Sequence, residues 1–367
     1  MQDGQVIAER YAGGWGAARP HALASGTKSF TGIVATAALA DGLIASLDER
    51  VADTITEWQA DPRKSRITVR ELLTLSSGLQ PESDLLGRQG AGIRDLGGVS
   101  DMAGRLRGGE RERMPPDRFE AVLGVPAVAE PGGQFAYGPT HFYAFGAFLE
   151  RKLRASERPE RTYWEYLSAR VLAPAGIPVD LARFAPDQGD KPNLPGGGHL
   201  TAREWARFGE FVRCGGRAIE RGEDGVLRAT DVQAIPAERI AECFAPSAAN
   251  PRYGLTWWLL NGAPGDAARP GSRGAVGRIG RGAMAEAAQL GTVHTKDGAP
   301  LQIVMAAGAG KQRLYIVPEL GLVVVRFAEL GPKGARFNDL AFLRALLGPL
   351  GAGADGSVPA PPPAEIP

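Results

Sequence analysis

Cysteine is nearly missing from this chain: Cys214 and Cys243 are the only two. A disulfide scaffold or a zinc ribbon is therefore excluded, and the pair reads as buried thiols or, alternatively, as one disulfide. Histidine is also scarce, and His21, His141, His199 and His294 show no HxH or HxxxH spacing. That leaves metal catalysis with little support, and no metal or other cofactor is expected. An excess of one charge is lacking too: 42 Lys+Arg against 41 Asp+Glu leaves a net charge of +1. No basic field exists to hold nucleic acid or an anionic membrane, so neither is an expected partner. No apolar run approaches the ~18 residues of a membrane span, and Met1 to Arg10 has neither the basic start nor the apolar core of a signal peptide. The expectation is a soluble chain acting on a small molecule. Its location is open between the cytoplasm and export under a leader this chain does not carry, and its oligomeric state is not indicated.

What is present fits a globular protein. Hydrophobic residues make up 44% and charged residues 23% of 367, enough for one large domain or two closely packed ones. Glycine (50) and proline (28) are abundant and imply many turns. Gln5 to Tyr11 reads as a strand, and Ser25 to Gly42 as an unusually apolar helix, buried on several sides. Ile67 to Leu79 reads as a second buried helix. The charge run from Arg105 to Arg113 reads as a solvated loop. Further helices are expected from Thr140 to Leu153 and, behind a Thr201/Glu204 capping box, over TAREWARFGEFVR.

The C-terminal third changes to strands at Tyr253–Leu260, Gly291–His294, Leu301–Ala306, Arg313–Val317 and Leu322–Phe327, with turns short enough for antiparallel pairing. A last helix spans about Asn338 to Leu347, stopped by Gly348-Pro349. The ending GAGADGSVPAPPPAEIP has no aromatic residue and reads as disordered over 351–367. The pattern predicts an α+β fold. An antiparallel sheet region (1–44 and 246–350) is built from both chain ends and flanked by helices, and a mainly helical region (45–245) lies between.

The local motif with chemical content is Ser25-Gly26-Thr27-Lys28. At i and i+3 on a helix, hydroxyl and amine share a face, so the amine can take the hydroxyl's proton. The helix start adds partial positive charge near a developing oxyanion. An S-x-x-K alone is weak evidence and reads first as a serine N-cap followed by a surface lysine.

Its surroundings narrow the choice. Ser25-Gly26-Thr27-Lys28-Ser29-Phe30-Thr31, Asp41-Gly42-Leu43 and Leu72-Leu73-Thr74-Leu75-Ser76-Ser77-Gly78-Leu79 occur in order. Pro131-Gly132-Gly133 with Phe135 and Tyr137, Gly196-Gly197-Gly198-His199-Leu200-Thr201, and Tyr253-Gly254-Leu255 follow them. This series resembles the β-lactamase-related serine hydrolases, a group that includes class C β-lactamases, DD-peptidases, esterases and 6-aminohexanoate-dimer hydrolases. The resemblance covers about residues 5 to 347 and implies a β-lactamase/transpeptidase-like fold. The family usually has a helix and a strand ahead of the position of Gln5, so either an exposed sheet edge or an artificially shortened start is expected.

The resemblance also implies roles. Ser25 is the expected nucleophile, Lys28 its base, and Tyr137 the proton relay to the leaving group. The family's second motif is Y-x-N, but here it reads Tyr137-Gly138-Pro139, and the missing amide weakens recognition of a β-lactam side chain. For the third motif, Lys296-Asp297-Gly298 matches in letters but reads as an exposed hairpin turn. Ala306 to Gln312 resembles the altered form found in the esterase and dimer-hydrolase branch, which lacks the cation. Gly308 and Ala309 are then the expected substrate-binding residues, with the Ala309 and Ser25 N–H groups as the oxyanion hole; a strand of small residues packing under a neighbour is the alternative. His199 is read as structural rather than cleft-lining. Of Trp257 and Trp258, one is expected in the core and the other at the pocket. The implied activity is acyl transfer from carboxylic esters or small amides to water. A β-lactamase or DD-peptidase, and a non-catalytic binding protein of the same fold, are the alternatives.

Overall fold

The computed structural model describes residues 1–86, 115–260, 301–328 and 337–351. After a two-residue strand β1 (His21–Ala22) and a 3-10 turn at Ala24–Thr27 comes α1 (Lys28–Ala40), whose residues are buried from Lys28 to Leu39. Small side chains allow this: a helix apolar on all sides packs on all sides. Helices α2 (Val69–Leu73), α3 (Arg118–Ala121), α4 (Thr140–Ala155) and α5 (Tyr163–Leu167) follow. Strand β2 (His199–Leu200) pairs antiparallel with β1. It leads into α6 (Ala202–Arg213), which opens on the expected Thr201/Glu204 capping box.

Strands β3 (Arg217–Arg221) and β4 (Leu227–Gln233) form a separate hairpin, and α7 spans Ala237–Glu242. The main sheet has the order β5 (Trp258–Leu259), β6 (Val304–Gly308), β7 (Gln312–Val317), β8 (Leu322–Arg326), all antiparallel. The last helix is α8 (Asp339–Gly351).

Alternation along β7 sorts its two faces. Leu314 points to Gly209 of α6, while Arg313 and Tyr315 reach Asp339, and Tyr315 stacks on Phe342 of α8. The strand is buried throughout because helices cover both sides. The α1 and α6 faces meet through Phe30 and Phe208, stacked with centroids 3.9 Å apart. Together these contacts place the start of α1 beside the end of β6.

Several expectations differ from the observed chain. Gln5 to Tyr11 forms no strand: Val6 and Ile7 are exposed, and only Met1 and Gln2 reach the sheet, where Met1 and Val323 exchange N–H···O bonds of 2.9 Å. A segment with no neighbouring strand to complete its hydrogen bonds gains nothing from the extended ladder. The second helix ends at Leu73 rather than Leu79, because Leu75 adopts φ +56° and its carbonyl turns to accept from Ala136 N–H. The Tyr253–Leu260 strand contracts to Trp258–Leu259. The β3–β4 hairpin was not anticipated, since its mostly exposed polar residues carry little alternation. The final helix continues past Gly348-Pro349 to Gly351. Both cysteines are free thiols, Cys243 buried and Cys214 partly exposed. Gly291–His294, Lys296-Asp297-Gly298, the Arg105–Arg113 run and the tail from 352 lie outside the described residues. Among the described residues, no helix is long and apolar enough to cross a membrane.

Candidate active site

The turn carrying Ser25 is held in a strained conformation. Ala24 has φ +46°, a region that costs a non-glycine residue of order 1–3 kcal/mol and persists only where neighbours fix it. The neighbours here are specific. Leu23 N–H donates to Gly198 O at 2.8 Å, Thr27 Oγ1 donates to Ala24 O at 2.7 Å, and Gly198 N–H donates to Thr27 Oγ1 at 2.9 Å. The expected helix thus begins as a 3-10 turn, and Ser25 stays half-buried at its surface. As an early residue of that turn, Ser25 has an N–H that the turn's own hydrogen bonding leaves free.

Lys28, one turn on, is 5% exposed. Its Nζ lies 3.1 Å from Ser25 Oγ and 2.6 Å from Pro195 O. Burial lowers its pKa to about 7, slightly offset by the negative charge of Glu82. A neutral amine can donate to Pro195 O while turning its lone pair to the Ser25 hydroxyl. Tyr137 completes the group: its buried phenol lies near enough to Ser25 for the serine to bias its titration, and its ring centroid is 5.1 Å from Lys28 Nζ. Burial raises the phenol to about 12, with Ser25 and Arg313 pulling the other way, so it stays protonated at neutral pH. Trp258 backs this ring at 6.0 Å while Trp257 stacks on Phe208 in the core.

The structure therefore brings Ser25, Lys28 and Tyr137 together. The strand side is reached through Gly308. A Cβ there would stand 2.0 Å from Leu23 O, so only glycine lets the end of β6 close on the serine turn. Ala309 follows as the first residue of a 3-10 turn, with its N–H likewise free of that turn's bonds. The cations nearby face elsewhere. Arg313 Nε and Nη2 bind Asp339 at 2.6 and 3.2 Å, and its Nη1 binds Gly308 O at 3.1 Å. Lys311 Nζ is 3.5 Å from the same carboxylate.

His199 stands apart from the group. It pairs with Ala22 across β1–β2, and its Nδ1 meets Gly197 O at 2.8 Å. Sequence reasoning missed the parts played by the Pro195 carbonyl and Thr27. The glycine run after Pro195 was the available signal, since it marks a backbone meant for close approach. Among the described residues, no group of histidine, cysteine, aspartate and glutamate could hold a metal ion. The cavity of about 860 Å³ bordered by Trp15, Arg19, Arg203, Val325 and Phe327 includes none of Ser25, Lys28 and Tyr137.

Comparison with known proteins bears on the family and the fold. No curated protein matches the sequence. Among solved structures, the chain is similar to a protein assigned as a 6-aminohexanoate-dimer hydrolase from Bacillus anthracis, with TM-score 0.57 and 17% identity over 95% of this chain and 76% of that one. A protein assigned as a β-lactamase from Bacteroides dorei DSM 17855 gives TM-score 0.60 and 16% identity over 95% and 91%. A family VIII carboxylesterase gives 0.51 and 15% over 88% and 83%. These likenesses show a β-lactamase/transpeptidase-like α+β fold. The family model described as Beta-lactamase matches residues 1–348, and the chain belongs to that family.

Proposed function

We propose that this protein is a serine hydrolase that cleaves carboxylic esters or small amides through a covalent acyl-enzyme. The observation that carries the reading is the buried Lys28 amine, 3.1 Å from Ser25 Oγ, whose burial lowers its pKa to about 7. Ser25 Oγ bonds to the substrate carbonyl carbon while its proton passes to Lys28 Nζ. The carbonyl oxygen takes the negative charge between the Ser25 and Ala309 N–H groups, where donors aimed at the developing oxyanion stabilise the transition state. As the C–O or C–N bond breaks, Tyr137 protonates the leaving group and is reprotonated from Lys28. Water then attacks the acyl-enzyme, its proton passing to Lys28 and from there to Ser25 Oγ as the Oγ–acyl bond breaks and the acid leaves. In this reading the cleft lies where the sheet region (1–44, 246–350) meets the mainly helical region (45–245), since Ser25 and Tyr137 come one from each.

The arrangement of charge favours esters over β-lactams. A β-lactam carboxylate needs a cation, but Arg313 and Lys311 both face Asp339, and Pro139 has no amide for the acyl side chain. A charge-assisted bond contributes about 1.5–3 kcal/mol and a neutral one about 0.5–1.5 kcal/mol. Losing both lowers transition-state binding on the order of 30- to 2,000-fold. The non-catalytic alternative has no use for a buried amine held against a serine hydroxyl. The test compares kcat/KM for short-chain p-nitrophenyl esters and a chromogenic cephalosporin. A ratio favouring the ester is expected, and one favouring the cephalosporin would replace this reading with the β-lactamase one.

A further inference from the structure

His141 takes no part in the proton transfers above, yet it is 1% exposed and sits four residues beyond Tyr137, on the first turn of α4. Its Nε2 is 2.8 Å from Ala136 O and its Nδ1 is 3.0 Å from Ser77 Oγ. A carbonyl oxygen only accepts, so Nε2 carries the proton and Nδ1 accepts from the Ser77 hydroxyl. Ser77 Oγ in turn accepts from Leu79 N–H at 3.3 Å. Every hydrogen-bonding site of the neutral ring is thereby used. A second proton on Nδ1 would face the Ser77 hydroxyl, with Lys28 as a nearby cation, and burial keeps the ring's pKa down at about 4.

Ala136 is tied at both ends. Its N–H donates at 2.8 Å to Leu75 O, the carbonyl turned by the strained Leu75, and its C=O is held by His141. The peptide entering Tyr137 therefore has no freedom to rotate. On the other side of Tyr137, a Cβ at Gly138 would stand 2.1 Å from Pro81 O, while Thr140 Oγ1 donates to the same oxygen at 3.0 Å. The tyrosine is thus tied by polar contacts on both sides, with Trp258 packed against its ring.

We infer that His141 is a positioning residue: locked as the neutral Nε2–H tautomer by Ser77, it fixes the Ala136 peptide and so aims the Tyr137 hydroxyl at Ser25. This rests on the serine-hydrolase reading, in which Tyr137 moves a proton. Misplacing such a group by about 1 Å costs up to roughly 100-fold. A truncated ring should therefore lower kcat by at least about 10-fold, with KM little changed.

The test uses the full chain in three measurements. In 15N-histidine-labelled protein, His141 should show Nε2 protonated and Nδ1 unprotonated from pH 8 to pH 5. On a p-nitrophenyl ester, His141→Leu should lose kcat as stated, while His141→Gln, which returns a donor near the Nε2 position, should recover most of it. Should His141→Leu fail to fold, Ser77→Ala takes its place, with a mixture of tautomers and a reduced kcat expected. A Nδ1–H tautomer, equal kcat in the Leu and Gln variants, or a Ser77→Ala protein unchanged in both tautomer and kcat would overturn the role. Fluorophosphonate labelling of wild type separates the two levels: absence of any label at Ser25 removes the hydrolase reading itself, whereas labelled, active enzyme indifferent to His141 removes only the positioning.

Discussion

Two sides of the Ser25 group are built on different principles. The helical side, from the Ser25 turn through Lys28 to the Tyr137 segment, spends strained backbone at Ala24 and Leu75 and a set of buried hydrogen bonds on placing three polar side chains. The strand side, from Gly308 to Arg313, offers mainly backbone, and its cations are consumed by Asp339 and by the Gly308 carbonyl. On the proposed function, proton handling belongs to the first side, while the cations of the second are turned away from a substrate carboxylate. A fold can therefore hold its chemistry fixed and change its substrate by editing the opposite side, which is where function is separable from fold.

Ser25 is the residue on which the helical side depends most. Ser25→Ala should abolish fluorophosphonate labelling, read by intact mass, and lower ester turnover by about 10⁴-fold or more. Persistent labelling would mean that the helical side is not the reactive one.

Lys28 tests the cost of that side. Its folded pKa of about 7 lies below the usual 10.5, so between these values the unfolded chain binds more protons and stability rises with pH. At pH 7 and below, the buried amine costs roughly 4 kcal/mol, and the cost vanishes as pH approaches 10.5. Lys28→Met should lose turnover by about 10²–10⁴-fold, yet resist denaturant better than wild type at pH 7, with the gap closing near pH 10. In wild type, kcat/KM should rise with pH on a limb centred near 7, and Tyr137, raised to about 12, should add no falling limb below pH 11. A variant less stable than wild type at both pH values would show Lys28 to be charged and paired.

Much of this was legible beforehand, for reasons that differ by residue. The S-x-x-K spacing, the Thr201/Glu204 capping box and the apolar β6–β8 runs are local signals, and they correspond to α1, α6 and the sheet. The Ser77–His141 bond joins residues 64 positions apart, and no local pattern announces it. Leu75 misled the helix reading because leucine at a helical spacing ordinarily continues a helix. Here the backbone turns instead, and the carbonyl it redirects holds the Tyr137 segment. The Asp339 contacts were equally hidden: Arg313 and Lys311 meet that carboxylate only because the fold brings α8 against β7.

The smallest effect sharpens the contrast between the two sides at Pro139. Asparagine at this position would restore the side-chain amide of the Y-x-N pattern without touching Ser25, Lys28 or Tyr137. The backbone is suited to the change, because Pro139 adopts φ −77° and ψ −25°, open to any residue. One neutral hydrogen bond contributes about 0.5–1.5 kcal/mol, so Pro139→Asn should raise kcat/KM for a chromogenic cephalosporin by about 2- to 12-fold. Turnover of a short p-nitrophenyl ester, which has no acyl-amide to bind, should stay within about 2-fold. The gain should remain small because the missing cation on the strand side is untouched. A gain well above about 12-fold would show that the proline alone excluded β-lactams, and that the strand side had never lost its recognition of them.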